Sequence, residues 1–583
     1  MDITVGMFTV GLEDGQSCIL SASRSHGGIA EYDFHLCWTA ENAARNDAFS
    51  ISWWVPMLGM HYKWDAPCRM HRSVFVPWND TFSSMISRNA PITCFFDGDN
   101  QNRYTWALSE CQKLVTVQNV IDDGVGKLHP CFTVGTGQYT GVRETSLTLR
   151  VDTRLIPLRQ AAADVADWWD TTLGMTPAYV PDAAHEPVYS FWYSYHQDIN
   201  EKTVEEECRR AKALGFDVCI VDDGWQTEQC SIGGNYSSCG DWLPAPGKFP
   251  DMAAHVKRVH DIGMKYILWY SVPFVGYDSQ HYNHFRSMIL RAQPEIRAAV
   301  LDPRYPEVRK FLVNTYRNAL LAWNLDGFKL DFIDSWHDHP DNAPYHEQMD
   351  IPALQDAVEA CMISIIEVLT AIKPDILLEF RQQYIGPHMK RFGNMFRVSD
   401  CGGDYLKNRA VILDLRMTMG NQAVHSDMLA LPVTETPENN ALQIISTMFG
   451  VLQYSGRLEY QSAKNQEMAR FWVHFLKEHW HLLQEGTLHS YESHLLYTWA
   501  KSTLGSECAV GVFGIDTCVS PDPTDTIYLA NGCTGQRTLV ELEGNYQVNI
   551  LNCCGEETAV YEHHFTGISA LAIPVGGLAV LKK

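Results

Sequence analysis

Positive charge is scarce in this chain. Its 583 residues include 45 lysines and arginines against 69 aspartates and glutamates, a formal charge of -24. The acids are spread along the sequence and do not form a tail. The excess therefore favours solubility and disfavours nucleic acid or anionic membranes as partners. Long apolar runs are missing too: none reaches the ~20 residues of a membrane span. The opening MDITVGMFTVGLEDG has no basic region ahead of an apolar core, so no signal peptide is expected. Cys-x-x-Cys pairs are absent, which disfavours a zinc ribbon. The 17 cysteines are dispersed, with Cys553 and Cys554 adjacent, and fit reduced thiols in a cytoplasm better than a disulfide framework.

What the chain does have is apolar and aromatic content, 46% and 11%, enough for large cores over a length that predicts two to four domains. Residues 1–180 read as short period-two strands broken by Gly, Asp, Asn and Pro: GQSCILSASRS, FSISWWVPM, RSVFVPW, KLVTVQNVI and SLTLRVDTRLIPL. This pattern predicts an N-terminal β-sandwich, followed by the helical RQAAADVADWWDTTLG and the linker-like PAYVPDAAHEP. From residue 187 strands alternate with helices. The first helix, TVEEECRRAKALG, is expected to open at Thr203 and stop at Gly215.

The strands are VYSFWYSYH, FDVCIVDDGW, KYILWYSVPF, GFKLDFIDSW, DILLEF, MFRVSD, QAVHSDMLAL and FGVLQYS. Eight of them over 187–488 suit a (β/α)8 TIM barrel. A doubly wound open sheet competes, but no Gly-rich phosphate loop follows the first strand. Residues 490–583 return to strands and turns and predict a small C-terminal antiparallel β-domain.

GFKLDFIDSW, residues 327–336, places charge inside what should be a buried strand. Lys329 and Asp331 share one face, and Phe328, Leu330 and Phe332 share the other. In a barrel the apolar set packs on the helices and the charged pair points inward near the C-terminal mouth. Likewise Leu377, Glu379 and Arg381 alternate with Ile376, Leu378 and Phe380. Asp222 and Asp223 end another strand, and Asp400 ends MFRVSD with Arg397 just before it. Any one of these acids is equally well the cap of the next helix, and Lys329 with Asp331 could be a structural ion pair, although such pairs are costly to desolvate. Charge at four strand ends, with Trp192, Trp225, Trp242, Trp269 and Trp336 at or beyond strand ends, points to a carbohydrate pocket, with about half of the tryptophans facing it.

Two carboxylates are enough to cleave a glycosidic bond, one attacking the anomeric carbon and one protonating the leaving oxygen. Asp331 is the better nucleophile, because Lys329 on its face favours the charged form. Asp400 is the acid, its pKa expected to be raised by burial or by a neighbour such as Asp404.

VDDGW (221–225), GDWLPAPGKFPDM (240–252), HDIGMKYILW (260–269), LDPRYPEVRKFL (301–312) and GFKLDF (327–332) resemble, in order and spacing, the catalytic barrel of glycoside hydrolase family 36, the α-galactosidases. The resemblance covers roughly residues 187–460, and that family also carries flanking β-domains. It implies that Asp331 is the nucleophile of a retaining double displacement, with Lys329 holding sugar hydroxyls beside it. It further implies that Asp222 and Asp223 grip O4 and O6 of galactose, that Trp192 lines the sugar subsite, that Asp400 is the acid/base and that Arg397 binds sugar. Asp404 is the fallback for the acid. Trp269, Glu379 and Arg381 are further candidate substrate-binding residues.

The departure from the family lies in LLEFRQQYIGP. Glu379 is in register, but Arg381 and Gln382 replace small residues of a Cys- and Gly-rich loop that contacts the C2 substituent. His425 and Asp427 in AVHSDML end the seventh strand and are candidates for the pocket or for a structural role. SWHDHPDN, with His337 and His339, lacks metal-ligand spacing and reads as a loop over the pocket; no metal and no other cofactor is expected.

The expected activity is exo-acting release of terminal α-linked galactose from small oligosaccharides, in the cytoplasm. The rival readings are an α-N-acetylgalactosaminidase, a transglycosylase and a catalytically silent carbohydrate-binding protein. Family members often form oligomers, so a homo-oligomer is open.

Overall fold

Short apolar segments with charged ends become the eight parallel strands at the centre of the molecule. They are β1 (Val188–Ser190), β2 (Val218–Val221), β3 (Lys265–Ser271), β4 (Gly327–Asp331), β5 (Leu377–Arg381), β6 (Met395–Arg397), β7 (Ala423–His425) and β8 (Gln453–Tyr454). This computed structural model describes residues 1–40, 47–135, 142–231 and 235–583. The strands lie in the order β7-β6-β5-β4-β3-β2-β1-β8, and a parallel bridge between His425 and Val451 joins the two ends. The sheet is thus the closed (β/α)8 barrel, and the open-sheet alternative falls.

Inside the barrel the strands divide into layers. The lower layer is apolar: Val188, Val218, Ile220, Ile267, Leu377, Met395, Ala423 and Val451 pack as one buried cluster, each side chain larger than alanine worth roughly 1.5–3 kcal/mol on burial. Gly327 is required at this depth, since a Cβ there would stand 2.2 Å from the Leu377 carbonyl oxygen. Above it the inward positions become polar, with Trp269 opposite Lys329, Lys329 opposite Glu379, and Arg381 opposite Arg397 in the strand register. The outward residues Phe328 and Leu330 are fully buried against the helical layer, with Phe328 edge-on to Tyr316 of helix Pro306–Trp323.

Helix Glu201–Leu214 is capped by Asn200, whose side chain accepts from the Thr203 amide, and ends at Gly215 with φ of 110°. The cap is therefore Asn200 and not Thr203, which lies one turn inside. The chain leaving β3 builds a feature with no clear sequence signature, a three-stranded antiparallel sheet of Phe274–Gly276, Ile289–Gln293 and Ala298–Leu301.

Before the barrel, two antiparallel sheets face each other across a core that includes Phe8, Trp53, Trp106 and Phe132. RSVFVPW is not a continuous strand here. Ser73 makes one isolated bridge to Tyr62, Pro77 has no N–H to give a ladder, and only Trp78 enters a strand, Trp78–Ser84. After the barrel, an eight-stranded sheet runs from Thr487–Tyr491 to Leu578–Lys582 and includes the long hairpin Arg537–Leu551 with Glu557–Ala572.

The three regions meet at Asp414, on helix Tyr405–Leu415. It accepts from Arg72 of the N-terminal region at 2.8 and 2.9 Å and from the Tyr497 hydroxyl at 2.6 Å, all in buried positions. N-terminal groups also touch the barrel mouth. Ser87 donates to the Trp336 carbonyl at 2.6 Å, and the Asn89 amide donates to the Gln383 carbonyl at 2.7 Å. Among the described residues no helix is long and apolar enough to cross a membrane.

Candidate active site

At the C-terminal mouth of the barrel a cavity of about 60 Å³ is walled by Trp192, Asp222, Asp223, Tyr236, Trp269, Lys329, Asp331, Phe332, Arg381, Arg397, Asp400 and Met428. A larger cavity at the opposite end of the barrel, lined by residues such as Asp182, His185 and Gln422, is at the face where barrel enzymes do not carry out chemistry.

Asp331 ends β4 with both carboxylate oxygens held. Oδ1 accepts from Arg381 Nε at 2.5 Å and from the Phe332 amide at 2.8 Å, and Oδ2 accepts from Trp269 Nε1 at 3.0 Å. Burial alone would push this carboxyl up. Arg381 first, then Lys329 and the Trp269 hydrogen bond, outweigh burial and hold it well below the usual carboxylate range. Lys329 favours the charged form of Asp331 but does not pair with it. Lys329 Nζ donates to Asp222 Oδ2 at 2.6 Å and acts on Asp331 only through space. Phe332 departs from the expected alternation as well. Its φ of 64° turns the chain just past β4, so its ring leaves the helix-facing side and lines the cavity.

Arg381 is clamped. Its guanidinium lies 5.1 Å from the Phe332 ring centroid and 5.8 Å from that of Tyr384. Its NH1 group donates to the Gln382 carbonyl at 2.7 Å, and the Tyr384 hydroxyl is tied to the Leu330 carbonyl at 2.9 Å.

Asp400 follows β6 and receives Arg397 NH2 at 3.0 Å, with two-thirds of its side chain open to solvent at 68%. The expected upward shift is not found. Arg397 outweighs burial and the nearby Asp331, and the Asp400 carboxyl is held below its ordinary value. Asp404 does not line the cavity. It caps helix Tyr405–Leu415, its side chain accepting from the Lys407 amide at 2.9 Å.

Arg397 itself is buried and shared, also donating to Asp427, which in turn accepts from the Cys401 amide at 2.6 Å and the Tyr193 hydroxyl at 3.1 Å. Asp427 thus supports the loop that carries Asp400. His425 lies deeper. Its Nε2 is 2.8 Å from the Ala184 carbonyl, and burial pushes its pKa down to about 3, so it is a neutral structural group.

Asp222 and Asp223 stand side by side after β2. The Asp223 carboxylate accepts from Gln197 Nε2 at 2.7 Å and Gln226 Nε2 at 2.6 Å, and burial raises it to about 6. Gly224, with φ of 123°, allows the turn, because a Cβ there would meet Gln197 Cα at 2.6 Å. Glu379, expected on the pocket wall, is fully buried beneath the floor, hydrogen-bonded to Gln453 and 3.7 Å from Arg397 Nε.

Of the five tryptophans considered, Trp192 and Trp269 line the cavity. Trp225, Trp242 and Trp336 are core, with Trp225 Nε1 bonded to the Trp269 carbonyl and Trp336 Nε1 to the Leu301 carbonyl. Tyr236, stacked on Trp269 at 6.1 Å and edge-on to Phe332 at 5.2 Å, completes an aromatic wall of the kind that receives the C–H face of a sugar. Tyr236 lies in an irregular loop where no periodicity marks it.

His337 and His339 are not among the lining residues. Two clusters of potential metal ligands occur among the described residues, and neither is at this cavity. Of these, Glu201 and Glu205 with His255 are already occupied by Arg258, which donates to both glutamates at 2.8 Å.

A charged barrel mouth with two carboxylates on separate strands and an aromatic wall defines a glycosidase-type site. The melibiase family model matches residues 181–486, more than half of the chain, and the chain belongs to that family. Among curated proteins it is 28% identical over 199 residues to the α-galactosidase Mel36A of Lactobacillus acidophilus, covering 32% of this chain and 26% of that protein. It is 25% identical over 206 residues to a probable α-galactosidase C of Aspergillus flavus, covering 33% and 26%. The chain thus spans about a quarter of the length of the curated relatives it matches. Its fold is that of the GH36 α-galactosidase AgaA from Geobacillus stearothermophilus, solved as a doubly substituted variant in complex with raffinose. That match has a TM-score of 0.65 at 15% identity and covers 99% of this chain and 81% of the other. Another doubly substituted AgaA variant, in complex with stachyose, matches with a TM-score of 0.64 at 14% identity and the same coverages.

Proposed function

We propose that the protein is a retaining, exo-acting α-galactosidase that removes terminal α-linked galactose from small oligosaccharides. The observation that carries this reading is Asp331 and Asp400 at the ends of β4 and β6, facing one cavity in a melibiase barrel. Asp331, held ionised by Arg381, attacks C1 as Asp400 gives its proton to the departing oxygen. The C1–O bond breaks and a neutral ester links sugar to Asp331. Water then attacks C1, Asp400 takes its proton, and the C1–Asp331 bond breaks with net retention. For Asp400 to hold a proton its pairing with Arg397 has to loosen, and Asp427 is the second carboxylate that keeps Arg397 neutralised meanwhile.

Asp222 and Asp223 accept from O4 and O6 of the sugar, while Trp192 and the Tyr236–Trp269–Phe332 wall take its apolar face. C2 is next to the atom that Asp331 attacks, so groups touching Asp331 are near C2. The clamped Arg381 supports a substrate with a plain hydroxyl there over an N-acetylated one. The AgaA structures with raffinose and stachyose support small galactosides as the substrate class. The cysteines, all free thiols, support a cytoplasmic location.

Hydrolysis of nitrophenyl α-galactoside, assayed beside the α-N-acetylgalactosaminide and the α-glucoside, tests the reading. Turnover of the galactoside is expected. Turnover of none of them, or preference for either of the others, overturns it.

A further inference from the structure

Asp334 is a partly buried carboxylate that the steps above do not use. It lies in the short turn Ile333–Ser335 just past β4, with its side chain 18% exposed. Its Oδ1 is 3.6 Å from Arg381 NH2, the same guanidinium whose Nε holds Asp331 Oδ1 at 2.5 Å. One cation therefore stands between two carboxylates, and the Phe332 and Tyr384 rings beside it prevent it from swinging wholly to either. We propose that Asp334 is a positioning residue for Asp331, acting through Arg381. It draws part of the Arg381 charge away from the nucleophile in the free enzyme and serves as the counter-charge of Arg381 in the glycosyl-enzyme ester.

The physical reason is charge balance, and it rests on Asp331 being the nucleophile. When the Asp331 oxygen bonds to C1 and the leaving oxygen departs with the Asp400 proton, Asp331 loses its negative charge. Arg381 then faces an ester on one side. Without Asp334 a largely buried, clamped guanidinium would be left without a counter-charge, which is costly. Conversely, if Arg381 gave its whole charge to Asp331, the free carboxylate would be stabilised relative to the ester. Ester formation would slow, and ester breakdown, in which Asp331 leaves as a carboxylate, would speed up. The charged and titratable groups that face Asp334 are Arg381 from β5, Asp331 from β4 and Arg88 from the N-terminal region. Burial, with Asp331, outweighs the pull of Arg381 and Arg88 and raises its carboxyl above the ordinary value.

Asp334→Asn keeps the shape and removes the charge. With an activated dinitrophenyl α-galactoside, whose ester breakdown limits turnover, the wild type is expected to show a burst of phenolate in stopped flow. The variant should lose the burst, with kcat/KM about tenfold lower or less, equivalent to ~1.4 kcal/mol, and KM raised relative to kcat. Asp334→Glu, which retains the charge, should keep the burst. A variant that slows formation and breakdown equally, or leaves burst and kcat/KM unchanged, overturns the proposal. If Asp334→Asn does not fold, Arg381→Lys serves, since a single ammonium cannot span both carboxylates. It should also lose the burst, and an intact burst overturns the proposal. Asp331→Ala run alongside separates the two readings. If it retains turnover, the nucleophile assignment fails. If it is inactive while Asp334→Asn is normal, only the role of Asp334 fails.

Discussion

Lys329 gives its ammonium to Asp222, 2.6 Å away and two strands across the barrel, and not to Asp331, its neighbour on the same face of β4. Both partners are nearly excluded from solvent. Lys329 therefore takes up Asp222 Oδ2, and under the proposed function it sets which Asp222 oxygen meets a sugar hydroxyl. Lys329→Met would leave a buried carboxylate unpaired, at a cost of ~3–5 kcal/mol. Galactoside KM should rise at least about tenfold, with a lower melting temperature. Combined with Asp222→Asn, the loss should be clearly smaller than the sum of the single losses. Additive losses would count against the coupling.

Asp331→Ala should abolish turnover of nitrophenyl α-galactoside. Azide should restore part of it by entering the space left by the carboxylate from the β face, so the product is β-galactosyl azide, identified by NMR. An α-azide, or undiminished activity, would sink the nucleophile assignment.

Asp400→Ala should reduce kcat/KM on raffinose-type substrates by ~10²–10⁴ and far less on dinitrophenyl galactoside, whose leaving group needs no proton. Equal losses on the two would refute the acid role.

The pH profile follows from the two depressed carboxyls. Asp331 stays ionised, so the acid limb should lie below the ordinary aspartate value of ~3.9. With Asp400 as the acid, the basic limb of kcat/KM should report it in the free enzyme, where Arg397 holds it down. A bound sugar excludes water from Asp400 and raises it. The basic limb of kcat should therefore stand at higher pH than that of kcat/KM. Superimposed limbs would contradict this.

Arg397→Met should be the most destabilising change in the site. It removes the partner of Asp427 and a charge 3.7 Å from Glu379, both fully buried. A loss of ~3–5 kcal/mol or failure to fold is expected, read by denaturant melts. A loss within experimental error would mean that the interior carboxyls protonate at little cost.

The barrel was legible because its strands are apolar, evenly spaced and charged at one end. That pattern carries the inward set Lys329, Asp331, Arg381 and Arg397 into the structure unchanged. Pairing was not legible. Asp222 is 107 positions from Lys329, and alternation along a strand says nothing about which residue lies across a closed sheet. Phe332 broke the pattern because one positive φ re-aims a side chain without any change in residue type. Tyr236, Gln197 and Asp334 lie in turns, where hydrogen bonding and not periodicity decides direction. The long C-terminal hairpin carries no clear sequence signal, because its outer strand, Glu557–Ala572, is exposed along most of its length and lacks a clean apolar face.

Asp414, shared by Arg72, Tyr497 and its own helix, has a consequence for how the molecule comes apart. Neither the N-terminal region nor the barrel can open there without stranding a buried charge, and the C-terminal region cannot leave without removing the Tyr497 hydroxyl from that pair, so their unfolding is coupled. Calorimetry should record a single cooperative transition instead of three, and Asp414→Ala should split or broaden it. The helix that bears Asp414 follows the Asp400 loop directly. Loss of that cooperativity should therefore appear in the acid/base step before bulk melting begins.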